Sequence, residues 1–320
     1  MRALIVKQAY IPVLLEDLIN KKYAMVDLAS SHGITDDSEI LDSAEILITN
    51  GEAIVGRDLI DRYKNLKLIA NFGVGYDGID ASYAASKGIF VTNTPGVLTD
   101  DVADLGVGLL LALSRNIVKA DHFVKDGSWQ TQGMGTFPWT KKVSGSKVGI
   151  VGMGRIGSAI AKRLSAFDVT IGYCNQKPVN SADYKYFSSL IDLAEFCDFL
   201  IVCVPGVKAN NHLIDEKVLK ALGPQGYLIN ISRGSVVDEQ YLTKALSNEE
   251  IKGAALDVFE HEPHVSEILR SLENVILTPH MASATHETRK AMGQLVFDNI
   301  EAFLQGKELI TPVPECNKLK

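Results

Sequence analysis

The amino-acid sequence predicts an α/β protein built from parallel sheets that carry helices on both faces. Short Val- and Ile-rich runs alternate with helical stretches along nearly the whole chain, which is the pattern of such sheets. The chain has 320 residues, a length that favours about two domains. The alternation starts again at the apolar run SKVGIVG (146–152). We therefore expect two domains, each with its own sheet.

Composition and charge argue against several classes of protein. Hydrophobic residues make up 46% of the chain and charged residues 22%, which is ordinary for a globular protein with a large core. The net charge of -7 argues against nucleic acid or an anionic membrane as a partner. The four cysteines show no metal-ligand spacing, so no metal is expected. The first apolar run is too short for a signal peptide, and none approaches the ~18–20 residues of a membrane span, so a cytoplasmic location is expected.

The first third of the chain contains five predicted strands. They are ALIV (3–6), AMVDL (24–28), EILIT (45–49), LKLIAN (66–71) and IFVTN (89–93). Segments 11–20 and 56–64 supply helices between them.

A long helix is predicted over residues 99–115. Thr99 is a suitable N-cap, and Asp100 and Asp101 suit the positive end of the helix dipole. The later turns are apolar nearly all round, with Gly106 and Gly108 permitting close approach. Such a helix is buried, either in the core of its own domain or against a second subunit.

Six strands are predicted in the second half. They are SKVGIVG (146–152), VTIGYC (169–174), FLIVCVP (199–205), GYLINIS (226–232), KGAALDV (252–258) and NVILTP (274–279). Six strands with helices between them make one dinucleotide-binding domain. The last helix, about 285–305, is free to cross back to the first domain. We expect that first domain to be discontinuous, comprising residues 1–98 and 287–320, and the dinucleotide-binding domain to comprise residues 99–286.

The turn after the strand at 146–152 carries a glycine pattern that favours dinucleotide binding. Gly152, Gly154 and Gly157 form GxGxxG between an apolar strand and an amphipathic helix. The first glycine permits a tight turn, the second lets a pyrophosphate approach the backbone, and the third lets the helix pack on the strand. The alternative is a purely structural turn. Arg155 either adds charge to the phosphate site or is a solvated surface residue, and Ile156 is expected in the same contact.

The end of the next strand indicates which nicotinamide cofactor is used. A carboxylate there would hold the ribose 2′-hydroxyl of NAD(H) and repel a 2′-phosphate. The sequence instead has Asn175, Gln176 and Lys177, two amides that donate hydrogen bonds and one positive charge. NADP(H) is therefore the preferred cofactor, with NAD(H) as the alternative.

Three strand ends carry the side chains that reduction of a keto acid requires. Arg233 follows the predicted strand at 226–232, Glu262 the one at 252–258 and His280 the one at 274–279. A guanidinium grips a carboxylate bidentately, and an imidazole supplies a proton near neutral pH. If Glu262 contacts His280, it favours the imidazolium and raises the pKa of that histidine. We therefore predict that His280 is the acid.

Each of these three residues is weakly informative by itself. An arginine in a loop usually forms a salt bridge, and a histidine in a loop can simply pack. Glu260, His261 and His264 also compete with Glu262 for the place beside His280. Together, however, the three residues follow three successive strands of one domain, and this arrangement supports a catalytic role for them.

The glycine loop and these three residues occur in the order found in the D-isomer-specific 2-hydroxyacid dehydrogenases, and the sequence closely resembles that family. The resemblance is carried by NFGVGYDGID, TNTPGVLTDDVADLGVGLLLAL, GIVGMGRIG, LINISRGSVVDE, ALDVFEHEP and LTPHMASAT. Within the family, VTNTPGVLTDDVAD and LITPV look most like the glyoxylate/hydroxypyruvate reductase branch, which includes the related hydroxyphenylpyruvate reductases.

The resemblance implies a Rossmann-type domain and a flavodoxin-like substrate-binding domain with a cleft between them, usually as a homodimer. It implies that Arg233 binds the substrate carboxylate, that His280 donates the proton and that Glu262 assists it. Trp139 either reaches a neighbouring subunit or has a packing role, and the packing role is favoured.

The resemblance also implies further contacts. It assigns the backbone N–H groups of Val74 and Gly75 to the substrate carboxylate and places Ser283 beside His280. An ordinary tight turn is the alternative for the glycine-rich stretch around Val74. It places Asp257 near the nicotinamide amide. Two further residues are placed against the cofactor: Pro205 and Ile231.

The sequence departs from the family at the cofactor strand. Members that prefer NADP(H) often carry an arginine where Gln176 stands, so selectivity would depend on Lys177 and the amides. The expected function is NADPH-dependent reduction of glyoxylate and hydroxypyruvate to D-2-hydroxy acids. The alternatives are another 2-keto acid such as hydroxyphenylpyruvate, the use of NADH, or a dinucleotide-sensing protein without enzymatic activity.

Overall fold

A computed structural model describes residues 4–179 and 184–319. The chain folds into two compact units. One unit comprises the chain up to Leu98 together with the chain from Ser283 onward, and the other comprises Thr99–Ala282.

The described residues form twelve β-strands. They are β1 (Leu4–Lys7), β2 (Ala24–Asp27), β3 (Ala44–Asn50), β4 (Leu68–Phe72), β5 (Phe90–Thr92), β6 (Lys147–Val151), β7 (Thr170–Cys174), β8 (Lys185–Phe187), β9 (Phe199–Val202), β10 (Tyr227–Asn230), β11 (Gly253–Leu256) and β12 (Val275–Leu277).

They also form thirteen α-helices. These are α1 (Val13–Asn20), α2 (Ser38–Ser43), α3 (Arg57–Arg62), α4 (Ala81–Ser86), α5 (Thr99–Ser114), α6 (Ile117–Lys125), α7 (Ser128–Gln132), α8 (Arg155–Leu164), α9 (Leu190–Phe196), α10 (Glu216–Leu222), α11 (Glu239–Ser247), α12 (Glu267–Ser271) and α13 (His286–Leu304).

The first unit is built on a five-stranded parallel sheet in the order β2-β1-β3-β4-β5. This is the strand order of flavodoxin-like folds. The structure confirms all five strands predicted in this part of the sequence. The interior strands β3 and β4 are almost entirely buried, as expected where helices cover both faces of a parallel sheet.

The long helix α13 follows β12 in the chain but belongs to the first unit, where it packs against α1 and β4. The Thr285 side chain caps it by accepting a hydrogen bond from the Thr288 N–H. Met292, Val296 and Ile300 are buried at four-residue spacing, which gives the helix one apolar face toward the sheet. The helix predicted over residues 285–305 is therefore confirmed.

The second unit is built on a seven-stranded parallel sheet in the order β12-β11-β10-β9-β6-β7-β8. Strands β7 and β8 extend the sheet on one side of β6, and strands β9 to β12 extend it on the other side. The strand order therefore reverses at β6, as in doubly wound dinucleotide-binding folds. The prediction of six strands was wrong because it missed β8. That strand has three residues, none fully buried, at the edge of the sheet, so it lacks a long apolar run.

Helix α5 packs within its own unit, against α8 and the strands β10, β11 and β12. A Cβ atom at Gly106 would lie 2.9 Å from Ile231 Cδ1 and 3.3 Å from Ile160 Cδ1. Glycine is therefore needed there for close packing, whereas Gly108 has open space where a Cβ would stand. Of the two alternatives for this helix, the structure supports burial in the core of its own domain.

In the parts of the chain that the structure describes, no helix combines the length and the apolar character that a membrane span requires.

Candidate active site

The three residues singled out as catalytic lie at one edge of the seven-stranded sheet. Arg233 follows β10, Glu262 follows β11 and His280 follows β12, and these strands are neighbours in the sheet. The carboxyl ends of parallel strands meet at one edge, which is where open α/β sheets bind ligands. The structure thus brings the three residues to the same edge.

Glu262 and His280 form a direct hydrogen bond, 2.7 Å between Glu262 Oε2 and His280 Nδ1. The other carboxylate oxygen of Glu262 accepts a hydrogen bond from the Phe259 N–H at 2.8 Å. With Nδ1 bound to the carboxylate, Nε2 is the other ring nitrogen of His280 that can take part in a hydrogen bond.

The surroundings of Glu262 keep its carboxylate ionised. Burial alone would raise the pKa of Glu262, but the hydrogen bond and charge of His280, the Phe259 amide and the charge of Arg233 together lower it below its usual value. A charged carboxylate beside an imidazole stabilises the protonated ring. The pair is therefore suited to hold a proton and release it to a ligand.

The structure distinguishes Glu262 from its competitors. Glu260 Oε1 lies 2.8 Å from Nε2 of His212, and this hydrogen bond raises the pKa of His212. His261 and His264 are exposed and are joined by a backbone hydrogen bond from the His264 N–H to the His261 carbonyl. The loop after β11 therefore holds two Glu–His pairs, and only the Glu262 pair involves His280.

Two residues that position Arg233 were not singled out from the sequence. Asn230, the buried last residue of β10, donates a hydrogen bond to the Arg233 carbonyl and accepts one from the Ser232 N–H. A Cβ atom at Gly234 would collide with the carbonyl carbon of Phe259, so glycine is required where the loops after β10 and β11 meet. In the sequence, the signal for this contact is an arginine followed by a glycine, Arg233 and Gly234, shortly after a strand.

Asp257 holds the segment that carries His280. Its buried carboxylate accepts hydrogen bonds from the Thr278 hydroxyl at 2.6 Å and from the N–H groups of Met281 and Ala282, each at 2.9 Å. Its backbone carbonyl also accepts a hydrogen bond from the His280 N–H. The structure thus gives Asp257 a positioning role, and its expected contact with the nicotinamide amide stays a prediction.

In the first unit, two asparagine side chains hold the turn after β4 by binding its carbonyl groups. The Asn71 side chain donates hydrogen bonds to the carbonyls of Gly73 and Gly75, and the Asn93 side chain donates one to the Val74 carbonyl. Within the described residues, the N–H groups of Val74 and Gly75 donate to no acceptor. Successive N–H groups of this kind bind anions. Ser283 also lies in this unit, between β12 and α13, and is partly exposed.

The glycine loop after β6 has the geometry of a phosphate cradle. Gly152 has φ 98°, which favours glycine. A Cβ atom at Gly157 would collide with the Gly152 carbonyl oxygen, so the third glycine permits the close packing. At Gly154, the N-cap of α8, nothing lies within 4 Å of a Cβ position. That open space at a helix N-terminus fits a pyrophosphate.

The end of β7 offers hydrogen-bond donors. The Asn175 side-chain oxygen accepts a hydrogen bond from the Met153 N–H in the glycine loop at 2.7 Å. This bond ties the two segments together and leaves the Asn175 NH2 group as the part that can face a ligand. Gln176 and Lys177 are exposed. A 2′-phosphorylated ribose would meet an amide and an ammonium here, so the residues present fit a nicotinamide dinucleotide.

The remaining residues predicted to contact the cofactor differ in their exposure to solvent. Arg155 and Pro205 are exposed and Ile156 is partly exposed, so all three are accessible to a ligand. Ile231 is only 6% exposed and its Cδ1 packs toward Gly106 of α5. Its side chain is therefore mainly part of the core.

Comparison with known proteins agrees with this geometry. The model of the family described as D-isomer specific 2-hydroxyacid dehydrogenase, NAD binding domain, matches residues 107–282. The chain is 49% identical over 271 residues to glyoxylate/hydroxypyruvate reductase A of Arabidopsis thaliana, covering 85% of this chain and 86% of that protein. It is 46% identical over 272 residues to hydroxyphenylpyruvate reductase of Plectranthus scutellarioides, with 85% and 86% covered.

A solved structure is similar over nearly the whole length. It is the NADPH-dependent glyoxylate/hydroxypyruvate reductase of Sinorhizobium meliloti in complex with NADP and malonate, with a TM-score of 0.92 and 42% identity. The match covers 99% of this chain and 98% of that chain. With the Glu262–His280 pair and the glycine loop in place, the chain belongs to the D-isomer specific 2-hydroxyacid dehydrogenase family and is an NAD(P)-dependent oxidoreductase.

Proposed function

We propose that the protein reduces glyoxylate and hydroxypyruvate to the corresponding 2-hydroxy acids with NADPH. The observation that carries this proposal is the 2.7 Å hydrogen bond between Glu262 and His280 at the sheet edge that also holds Arg233. The names of the Arabidopsis and Sinorhizobium relatives support the choice of substrates.

Each residue has a distinct task in this proposal. The bound cofactor supplies the hydride. His280 donates a proton from Nε2 to the former keto oxygen, and Glu262 stabilises the imidazolium before that transfer. Arg233 and the N–H groups of Val74 and Gly75 bind the substrate carboxylate. Ser283 assists in orienting the substrate.

The preference for NADPH is supported by the end of β7. Asn175, Gln176 and Lys177 offer donors and a positive charge, and no carboxylate stands among them to repel a 2′-phosphate. The Sinorhizobium enzyme, which is NADPH-dependent, supports the same choice.

We also propose that the protein acts as a homodimer. Trp139 is 100% exposed and Met134 is 85% exposed, which is unfavourable for large apolar side chains unless a partner covers them. The exposure of Trp139 contradicts the packing role favoured from the sequence. Trp139 also lines a groove of about 940 Å³ in the second unit, and a second copy of the chain is the partner we propose there.

Hydroxyphenylpyruvate is the second candidate substrate, because the Plectranthus relative acts on it by name and is nearly as similar as the Arabidopsis one. Steady-state kinetics with glyoxylate, hydroxypyruvate and hydroxyphenylpyruvate, each with NADPH and NADH, decide between the alternatives. We expect the highest kcat/KM for hydroxypyruvate or glyoxylate with NADPH. A higher kcat/KM with NADH would contradict the cofactor proposal, and a preference for the aromatic acid would contradict the substrate proposal.

A further inference from the structure

The loop between β9 and α10 lies against the phosphate cradle. A Cβ atom at Gly152 would stand 2.8 Å from Val204 Cγ1, so the start of this loop touches the glycine loop. Pro205, which is predicted to contact the cofactor, comes next. The Asn210 side chain donates a hydrogen bond to the Pro205 carbonyl at 2.8 Å. The loop therefore borders the place that a dinucleotide would occupy.

Few buried contacts hold this loop in position. Every residue from Val204 to Leu213 is at least partly exposed, and segments of this kind open locally at little cost in free energy. Near α10 the loop is fixed at His212, whose N–H donates a hydrogen bond to the Ser235 carbonyl at 2.8 Å. His212 has a φ of 49°, in the left-handed region that few non-glycine residues adopt. The position of the loop therefore depends on what holds His212.

The ring of His212 binds a carboxylate on the loop after β11. Its Nε2 lies 2.8 Å from Oε1 of Glu260. This hydrogen bond raises the pKa of His212, and the charges of Glu260 and Asp238 act in the same direction, whereas burial opposes them. The net effect favours the imidazolium. Because a hydrogen bond between charged groups is stronger than one between neutral groups, the carboxylate holds the ring more firmly than an uncharged acceptor would.

Glu260 is anchored independently of His212. The Glu260 N–H donates a hydrogen bond to Oε2 of Glu239, at the start of α11, at 3.0 Å. The preceding carbonyl, that of Phe259, packs where a Cβ atom at Gly234 would stand. The loop after β11 therefore keeps its place without the histidine, and the loop between β9 and α10 is the part that the pair holds.

We propose that His212 and Glu260 are positioning residues for the cofactor, because their hydrogen bond holds the loop between β9 and α10 in the conformation that binds the dinucleotide. The pair is partly exposed, and such ion pairs contribute little to the free energy of unfolding. Glu262 is held separately by the Phe259 N–H at 2.8 Å. Loss of the pair therefore weakens dinucleotide binding and leaves the proton donor in place. The inference rests on the predicted contact of Pro205 with the cofactor and not on which keto acid is reduced.

Fluorescence titration of the full-length protein with NADPH tests this proposal. His212→Asn introduces a residue that tolerates the left-handed backbone but is too short to reach Glu260, and Glu260→Ala removes the carboxylate. We expect the Kd for NADPH to rise about fivefold to tenfold in each variant, the effect of losing a hydrogen bond between charged groups that solvent partly weakens. The Kd for NADH should rise by the same factor, because the pair does not act on the 2′-phosphate.

Two further measurements separate positioning of the loop from a general loss of structure. At saturating NADPH, the kcat for hydroxypyruvate should stay within about twofold of the wild type while the KM for NADPH rises with the Kd. In the protein without cofactor, hydrogen exchange should become faster in residues 204–213 and stay unchanged in the loop after β11. The titration and the hydrogen exchange require no turnover, so they test the pair even if hydroxypyruvate is not a substrate.

His261→Asn is the matched control, because it makes the same substitution at an exposed histidine next to Glu260, and its Kd should equal that of the wild type. In the double variant His212→Asn/Glu260→Ala, the Kd should rise no further than in the single variants, since both remove the same interaction. A Kd within twofold of the wild type in both single variants would overturn this inference. So would an equal rise in the control, or a double variant whose rise is the product of the two single rises.

Discussion

At the scale of single residues, His280 has an unusual backbone. Its φ of 50° lies in the left-handed region that non-glycine residues adopt rarely and at a cost of about 1–3 kcal/mol. The hydrogen bonds to Asp257 from Thr278, Met281 and Ala282 hold the segment in this conformation. The strain is thus offset by a buried carboxylate, and the imidazole is held where Glu262 can reach it.

The charge of Glu262 leads to a prediction about pH. Because the pKa of Glu262 is lowered, its carboxylate stays ionised through the neutral range and favours the His280 imidazolium. Glu262→Gln removes that charge, so the imidazolium gives up its proton at lower pH. Reduction needs the protonated ring, so we expect the alkaline decline of kcat/KM to move down by about one pH unit or more.

The control for this prediction is Glu260→Gln. Glu260 lies in the same loop but pairs with His212. Removal of its charge should therefore leave the pH dependence of kcat/KM for reduction unchanged. A Glu262→Gln enzyme with the wild-type alkaline decline would show that the carboxylate does not act through His280.

At the scale of the structural elements, the site depends on loops that touch after neighbouring strands. Gly234→Ala would drive a Cβ atom into the Phe259 carbonyl and separate the loops after β10 and β11. We expect it to lower the free energy of unfolding by more than about 2 kcal/mol. Urea denaturation measures this, and Gly108→Ala, in open space on α5, should be neutral or stabilising by up to about 1 kcal/mol. Equal stability of the two variants would contradict the proposed contact.

The same loops explain how much could be predicted from the sequence. The longer strands, the glycine loop and the strand-end positions of Arg233 and His280 follow from apolar periodicity and short motifs. The sequence could not show that Glu262, and not Glu260, pairs with His280. The two residues are only two positions apart in the same loop, and what distinguishes them is the direction of their side chains. The short edge strand β8 and the Asn71 and Asn93 hydrogen bonds likewise depend on tertiary contacts that leave no periodic signal.

At the scale of the whole molecule, we predict that two copies of the chain associate through the surface that carries Trp139. Tryptophans at the centre of an interface are frequent hot spots, each contributing about 2 kcal/mol or more. Trp139→Ala removes this side chain from both copies and should therefore raise the dimer dissociation constant about 1,000-fold, as measured by analytical ultracentrifugation. As a control, Ile34→Ala removes a half-exposed apolar side chain from the first unit and should leave the dimer dissociation constant unchanged. A wild type that sediments as a monomer at all concentrations would contradict the dimer.

The proposed role of His280 as the proton donor is tested by the kcat of hydroxypyruvate reduction in the His280→Ala variant. Loss of a general acid typically costs about 10²- to 10⁴-fold, and we predict a loss in that range, with NADPH binding, followed by fluorescence titration, kept within about twofold of the wild type. A kcat within tenfold of the wild type would contradict the role of His280 as the general acid.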